Sequence, residues 1–232
     1  MQGGKIHKNI IDIGCGEGFL LHHFLKKNWH VEGVDFSSHG IKAQCPDLLP
    51  FFTEGNVFSL LEEKIKQGKK YDFINLSNVL EHVIDPIDLL ERLKHISTPT
   101  AMIHISVPND FSNFQYFLLD CGYLLKETWF APPDHLNYFT FDTLKILIEH
   151  VGYKISRMLA DFPIELFLSN EHSNYWKDRT KGEQAHLSRV NVDNFLINQG
   201  LEKYINYMGA AAELGFSRNV KAFICLGENH KK

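Results

Sequence analysis

The chain has no Cys-x-x-Cys pair. Its four cysteines, Cys15, Cys45, Cys121 and Cys225, are far apart in 232 residues, so neither a zinc framework nor a disulfide scaffold is expected and a reduced, cytoplasmic protein is the simple reading. No apolar run is long enough to span a bilayer, and the first residues lack a signal-peptide layout, so no membrane partner is expected. Positive charge is not massed either. With 24 Lys and Arg against 28 Asp and Glu the formal charge is -4, which argues against a nucleic-acid partner. Internal repeats, low-complexity tracts and Pro/Gly/Ser linkers are also absent, which leaves one domain over 1–232. Thirteen histidines are many, but they are dispersed.

What is present alternates between strand and helix. Short apolar runs at Asn9–Ile13, His30–Asp35, Pro50–Glu54, Tyr71–Leu76 and Ala101–Val107 read as strands buried on both faces. Tyr153–Leu159 and Val220–Leu226 add two more. Between them, Leu20, Leu21, Phe24 and Leu25 share a helical face. Asp85-Pro86 opens a second helix with a stripe of Ile87, Leu90, Leu93 and Ile96. A third runs from Thr140 to Val151 and ends at Gly152. This order implies an α/β fold with a doubly wound, mostly parallel, seven-stranded sheet. Residues 160–218 read instead as helices and loops. They form a helical insertion before the last strand, open to use as a cap or as a homodimer contact.

The turn after the first strand, Asp12-Ile13-Gly14-Cys15-Gly16-Glu17-Gly18, carries the chemistry. Glycines there allow a tight turn and a close ligand. The spacing is not the Gly-x-Gly-x-x-Gly of a dinucleotide site, because Phe19 stands at the last position, and no Gly-Lys-Ser/Thr follows for a phosphate loop. Asp12 and Glu17 would repel a pyrophosphate. A cationic, phosphate-free ligand suits them better, and S-adenosylmethionine, with its ammonium and sulfonium, is one. Asp35 ends the second strand, where an acidic side chain can accept from ribose hydroxyls. Asn56-Val57 follows the third strand, and Ser77-Asn78 the fourth.

These stretches carry a resemblance. "NIIDIGCGEGFLL", "VEGVDFS", "YDFINLSNVLEHVIDP" and "DHLNYFTFDTLKILIEHVGYKI" together resemble the class I S-adenosylmethionine-dependent methyltransferases, in the branch near ubiquinone-pathway O-methyltransferases and bacterial glycan and metabolite methyltransferases. The resemblance covers about residues 5–160 and the last strand. It implies a Rossmann-like fold, S-adenosylmethionine as cofactor and S-adenosylhomocysteine as product. It implies that Asp12, Gly14, Cys15 and Gly16 line the methionine part and that Gly18 shapes the helix entry. It places Asp35 on the ribose, Phe36, Asn56 and Val57 around the adenine, and Ser77 and Asn78 on the methionine side. Relatives often carry residues ahead of the first strand. Here that strand begins almost at once, so a trimmed chain or a lid from 160–218 is expected.

The acceptor is read as a small molecule, most simply a hydroxyl of a sugar-like or aromatic metabolite, because the Asn-Pro-Pro-aromatic motif of many amino methyltransferases is missing after the fourth strand. Histidine suits the role of base. His82 and His135 are the candidates; His82 also reads as a helix-start histidine that bonds backbone and shapes the loop, and His135 as a loop histidine packed on Tyr138 or Phe139. Trp129 and Tyr138, in an aromatic-rich stretch, are the candidates to face the acceptor. Glu81 and His82 could serve a divalent ion, but Asn78 stands where an acidic partner would be needed, and no metal is expected. Two other readings stay open on the residues alone: a non-catalytic S-adenosylmethionine-binding scaffold or sensor, and an NAD-dependent oxidoreductase.

Overall fold

The apolar run Asn9–Ile13 is β1, and its last four residues are buried. The computed structural model describes residues 8–227. The chain then continues through α1 (Phe19–Lys26), β2 (His30–Asp35), α2 (His39–Gln44), β3 (Phe52–Glu54), α3 (Val57–Lys66), β4 (Tyr71–Ser77), α4 (Pro86–Ile96) and β5 (Ser97–Pro108). After these come α5 (Asn113–Asp120), α6 (Phe141–Val151), β6 (Tyr153–Ala160), α7 (Gly182–Asn198), α8 (Leu201–Glu213) and β7 (Asn219–Leu226). The strands form one seven-stranded sheet in the order β3-β2-β1-β4-β5-β7-β6. β1 pairs in parallel with both β2 and β4, and β2 with β3. The order therefore reverses between β1 and β4, which is where doubly wound sheets open a ligand crevice. This is the Rossmann-like fold expected from the alternating pattern.

The described residues fall into two compact units. One holds the chain up to Ile105, Leu147–Ser156 and the strand end from Phe223; the other holds Ser106–Ile146 and Arg157–Ala222. In the first unit, Ile10, Leu21, Val31, Ile41 and Leu48 make a core on which Leu20, Phe24 and Leu25 of α1 pack. α4 starts as its sequence suggests. Pro86 takes the first position, and the Asp85 carboxylate accepts the Asp88 N–H at 2.9 Å. Its buried stripe is Leu89, Leu90, Leu93 and Ile96, with Ile87 turned outward, one position away from the expected face. α6 buries Leu144, Ile148 and Val151 and ends at Gly152, whose φ is +88°.

Two strand boundaries differ from expectation. Pro46–Phe51 is a 3-10 turn, and only Phe52–Glu54 pairs, because Pro50 cannot donate to a ladder. β5 begins at Ser97, four residues early, since the end of α4 runs directly into it. Within the 160–218 stretch, read as helices and loops, the α-helices are Gly182–Asn198 and Leu201–Glu213. Among the described residues no helix is long and apolar enough to cross a membrane.

In the second unit, Leu118, Leu124, Trp129 and Leu168 form one core, and Ala160, Met208, Ala211 and Ala212 another. Trp129 is only 3% exposed, edge-on to Phe111 and Tyr116. Its large apolar ring is taken up by this core, so the sequence-based expectation of a Trp129 facing an acceptor is corrected. α7 buries only Ala185 and leaves Leu187, Phe195 and Ile197 outside.

Gly33 on β2 tests the packing of the first unit. A Cβ there would meet Leu21 Cδ1 at 2.6 Å and Cys15 Sγ at 3.0 Å. Gly33→Val is expected to cost about 1–3 kcal/mol in chemical denaturation, as overpacking does. An unchanged midpoint would mean that α1 is free to move away.

Candidate functional site

The glycine turn is held from β2. Gly14 N and Cys15 N both donate to Val34 O, at 2.8 and 3.3 Å. The Asp35 carboxylate accepts the Gly16 N–H at 2.9 Å on one oxygen and the Ser37 N–H at 3.1 Å on the other. Gly14, Gly16 and Gly18 all have positive φ, at +71°, +51° and +82°. Only glycine takes up that run of left-handed residues without strain. Their surroundings differ. A Cβ on Gly14 would strike Val79 Cγ2 at 2.5 Å, one on Gly18 would press on Leu48 and Ile41, and one on Gly16 would meet nothing within 4 Å. Gly16 therefore faces open room, while Gly18 packs the start of α1. The Cys15 side chain is 8% exposed and belongs to the core, so only its backbone can face a ligand.

Two cavities lie along this turn, both in the first unit. One, of about 570 Å³, is lined by Asp12, Gly14, Cys15, Gly16, Ser77 and Asn78, with Glu17, His23, Asn75, His104 and several aromatic rings beyond them. The other, of about 530 Å³, is lined by Gly14, Asp35, Phe36, Asn56, Val57, Asn78 and His82 among others. Gly14 and Asn78 belong to both. Asn78 follows β4 with φ +55°, a conformation that asparagine tolerates and that recurs at functional sites. Every expected binding residue except Gly18 lines one cavity or the other.

Several side chains are already committed. Asn56 caps α3, its Oδ1 accepting the Phe58 and Ser59 N–H groups at 3.0 and 3.3 Å, so only its amide nitrogen could reach an adenine. Phe36 is 86% exposed, a ring with one face to offer. His82 stands in the Asp35 cavity, its Nε2 4.0 Å from Glu81 Oε1, so it keeps company with the nucleoside-side residues. Asp12 is 2% exposed and accepts from Asn75 Nδ2 at 2.6 Å. Burial pushes its carboxyl up to about 7; the Asn75 hydrogen bond opposes that rise and the Asp35 charge adds to it. Burial and the charges of Asp12 and Asp35 likewise push the Cys15 thiol up to about 12, so it is no nucleophile at neutral pH. Asn75 and His104 were not singled out from sequence.

His135 belongs to the second unit. Its Nδ1 lies 3.7 Å from Asp110 Oδ2, and its ring is 6.0 Å from that of Tyr138. Asp110 is 1% exposed, and burial pushes its carboxyl up to about 6 against the pull of Arg218 and a hydrogen bond with Gln115. Arg218 also meets Glu165 at 3.1 Å. Of the two sequence readings, a base and a loop histidine packed on Tyr138 or Phe139, the ring contact with Tyr138, tilted at 58°, fits the second.

A family model described as a methyltransferase domain matches residues 4–157. The chain belongs to this family. Ubiquinone biosynthesis O-methyltransferase of Aeromonas salmonicida is 26% identical to this methyltransferase over 160 residues, 68% of this chain and 67% of that protein. Its namesake in Actinobacillus pleuropneumoniae serotype 7 is 23% identical over 74% of this chain and 79% of its own. A solved SAM dependent methyltransferase from Archaeoglobus fulgidus superposes with a TM-score of 0.55 over 95% of this chain and 86% of that one, at 21% identity, which speaks to the fold. Family and fold together make the protein a class I S-adenosylmethionine-dependent methyltransferase.

The methyltransferase has one further close approach beneath its turn. A Cβ on Gly40, in α2, would lie 2.9 Å from both C and O of Gly16, backbone atoms that cannot swing away. Gly40→Ala is expected to weaken S-adenosylhomocysteine binding at least about tenfold in calorimetry, through a displaced turn, with little change in melting temperature. Wild-type affinity in that variant would show that the turn adapts.

Proposed function

We propose that the protein transfers the methyl group of S-adenosylmethionine to a hydroxyl of a small sugar-like or aromatic metabolite. The observation that carries the cofactor side is the lining of the two cavities. Asp12, Glu17 and Asp35 are there, and among the described lining residues none is lysine or arginine. That acceptor set suits an ammonium and the ribose hydroxyls and repels a pyrophosphate, which weighs against NAD. In this assignment Asp12, Gly14, Cys15, Gly16, Ser77 and Asn78 hold the methionine side. Asp35 takes the ribose through its remaining lone pairs. Phe36, Asn56 and Val57 flank the adenine. Gly18 shapes the helix start.

When bound, S-adenosylmethionine supplies a methyl group on a sulfonium leaving group. The residues of this chain then bind and orient. Gly14 and Asn78, which line both cavities, would stand between nucleoside and amino acid and so help to set where the sulfur lies. For a hydroxyl acceptor a proton must also leave. We assign His135 as its base, with Asp110 to steady the imidazolium. O-methylation is supported by the named activity of the relatives in Aeromonas salmonicida and Actinobacillus pleuropneumoniae.

Calorimetric titration with S-adenosylhomocysteine, with NAD alongside, tests the cofactor assignment. Micromolar binding of the first and none of the second is expected; the reverse would overturn it. The same titration should depend on pH. A carboxyl at about 7 is mostly neutral at pH 6 and ionised at pH 8, and only the ionised form attracts an ammonium. Affinity should therefore fall about tenfold from pH 8 to pH 6. Asp12→Asn should flatten that slope; a slope that survives would take Asp12 out of ammonium binding.

His135→Ala tests the acceptor side. With a hydroxyl acceptor found by screening, turnover should drop by about 10²–10⁴, the usual span for losing a general base, at unchanged S-adenosylhomocysteine affinity. Full activity would remove His135 from the mechanism.

A further inference from the structure

Asp12 does not stand alone. It is the register partner of Asn75 on the neighbouring parallel strand, so the two side chains leave the same face of the sheet. Asn75 is 5% exposed, yet its amide is used on both ends. Its Nδ2 donates to Asp12 Oδ1 at 2.6 Å, a short, charge-assisted distance when Asp12 is ionised. Its Oδ1 accepts the Ser77 hydroxyl at 3.2 Å and lies 2.7 Å from His104 Nδ1.

The direction of this chain is dictated by chemistry. An ionised carboxylate only accepts, so the amide must turn its nitrogen to Asp12. Its oxygen then faces β5 and can only accept, so His104 carries a proton on Nδ1. Each donor polarises the next, from imidazole to amide to carboxylate. The imidazole is itself held by the Phe223 ring, with centroids 4.8 Å apart. Asp12, Asn75, Ser77, His104 and Phe223 all line the 570 Å³ cavity.

We propose that Asn75 and His104 are positioning residues that hold the Asp12 carboxylate aimed for the ammonium of the methionine moiety. This rests on the assignment of that cavity to the methionine side. Neither residue needs to touch the ligand. His104 donates to Asn75, Asn75 donates to Asp12, and the orientation of the acceptor oxygen is settled before ligand arrives. Pre-organisation of this kind is worth most in a buried, weakly solvated pocket, where an unheld carboxylate would turn away or take up a proton.

The alternative is that the trio merely satisfies a buried acid and does nothing for the ligand. Two ligands and two variants separate these. S-adenosylhomocysteine has the ammonium; 5′-methylthioadenosine keeps adenine, ribose and sulfur but lacks the amino-acid group. His104→Leu removes the Nδ1 donor, and His104→Asn puts an amide donor near the same place. Calorimetry with the full chain should find His104→Leu about tenfold or more weaker for S-adenosylhomocysteine and within about twofold of wild type for 5′-methylthioadenosine. His104→Asn should return S-adenosylhomocysteine binding to within about threefold of wild type. Equal weakening for both ligands in His104→Leu would make the network structural and overturn the proposal, as would wild-type binding of both. A wild-type protein that binds 5′-methylthioadenosine as tightly as S-adenosylhomocysteine would instead refute the methionine-side assignment itself, and this inference with it.

Discussion

One carboxylate keeps the turn in shape. Asp35 sits at the end of β2, and its oxygens accept N–H groups from Gly16 and from Ser37. Without that tie, three successive left-handed glycines would have little reason to hold a single path, because each loses much conformational freedom on ordering. With it, the end of β1, the end of β2 and the start of α2 are stitched at one point. Gly40 closes the arrangement from below, pressed against the Gly16 backbone where any side chain would intrude. The room over Gly16 is then left over by construction, bounded by backbone on one side and by Ser77 and Asn78 on the other.

The electrostatic consequence is a pocket with a deficit. Asp12 is buried among strands, and Asp35 is close enough to raise its pKa. Among the described residues no lysine or arginine lines the two cavities. Elsewhere in the same unit one buried charge is paired. Lys64, 6% exposed, meets the Glu32 carboxylate, which also takes the Tyr71 hydroxyl. The contrast matters, because a fold that can neutralise Glu32 could neutralise Asp12 by the same means. It supplies Asn75 instead, a donor that steadies the carboxylate without cancelling its charge. An uncancelled buried acid costs stability and favours a cationic ligand. Local rules of this sort are usually broken where a site needs them broken.

How much of this was legible in the sequence follows from what each signal depends on. β1, β2 and the turn between β1 and α1 depend on local chemistry, namely apolar runs stopped by Asp and Gly, and their boundaries match residue for residue. The cavity-lining residues of the turn and of the strand ends were legible for the same reason. β3 was overlong because Pro50 and Phe51 look like part of an extended run, whereas they close a 3-10 turn. Asn75 and His104 went unread because each sits inside an apolar strand, "FINLS" and "MIHIS", with nothing local to mark it. Their meaning comes only from register: Asp12 stands opposite Asn75, and His104 lies across from it on β5. A polar residue in the middle of a strand expected to be buried on both faces was the available hint. Trp129 failed in the other direction, since an aromatic-rich loop looks like a pocket wall until Phe111, Tyr116 and Leu118 are seen packed around it.

The second unit carries a charge run of its own, partly beyond the family match. That match ends at residue 157, and residues 158–222 lie beyond it. Those residues bring in Glu165 and Arg218, two buried or half-buried charges 3.1 Å apart, and Arg218 also stands 3.8 Å from Asp110. The run continues to His135. A buried ion pair is rarely the cheapest way to stabilise a fold, since well-packed apolar side chains of like volume do as well. Phe111, next to Asp110, has φ +58°, an uncommon cost for a bulky residue. Strain and buried charge thus meet around Asp110, in the second unit. On the proposed assignment the cofactor end lies in the first unit, at the glycine turn and the ends of β2 and β4. In the second unit, the charge run from Glu165 through Arg218 and Asp110 to His135 is something that packing alone would not choose.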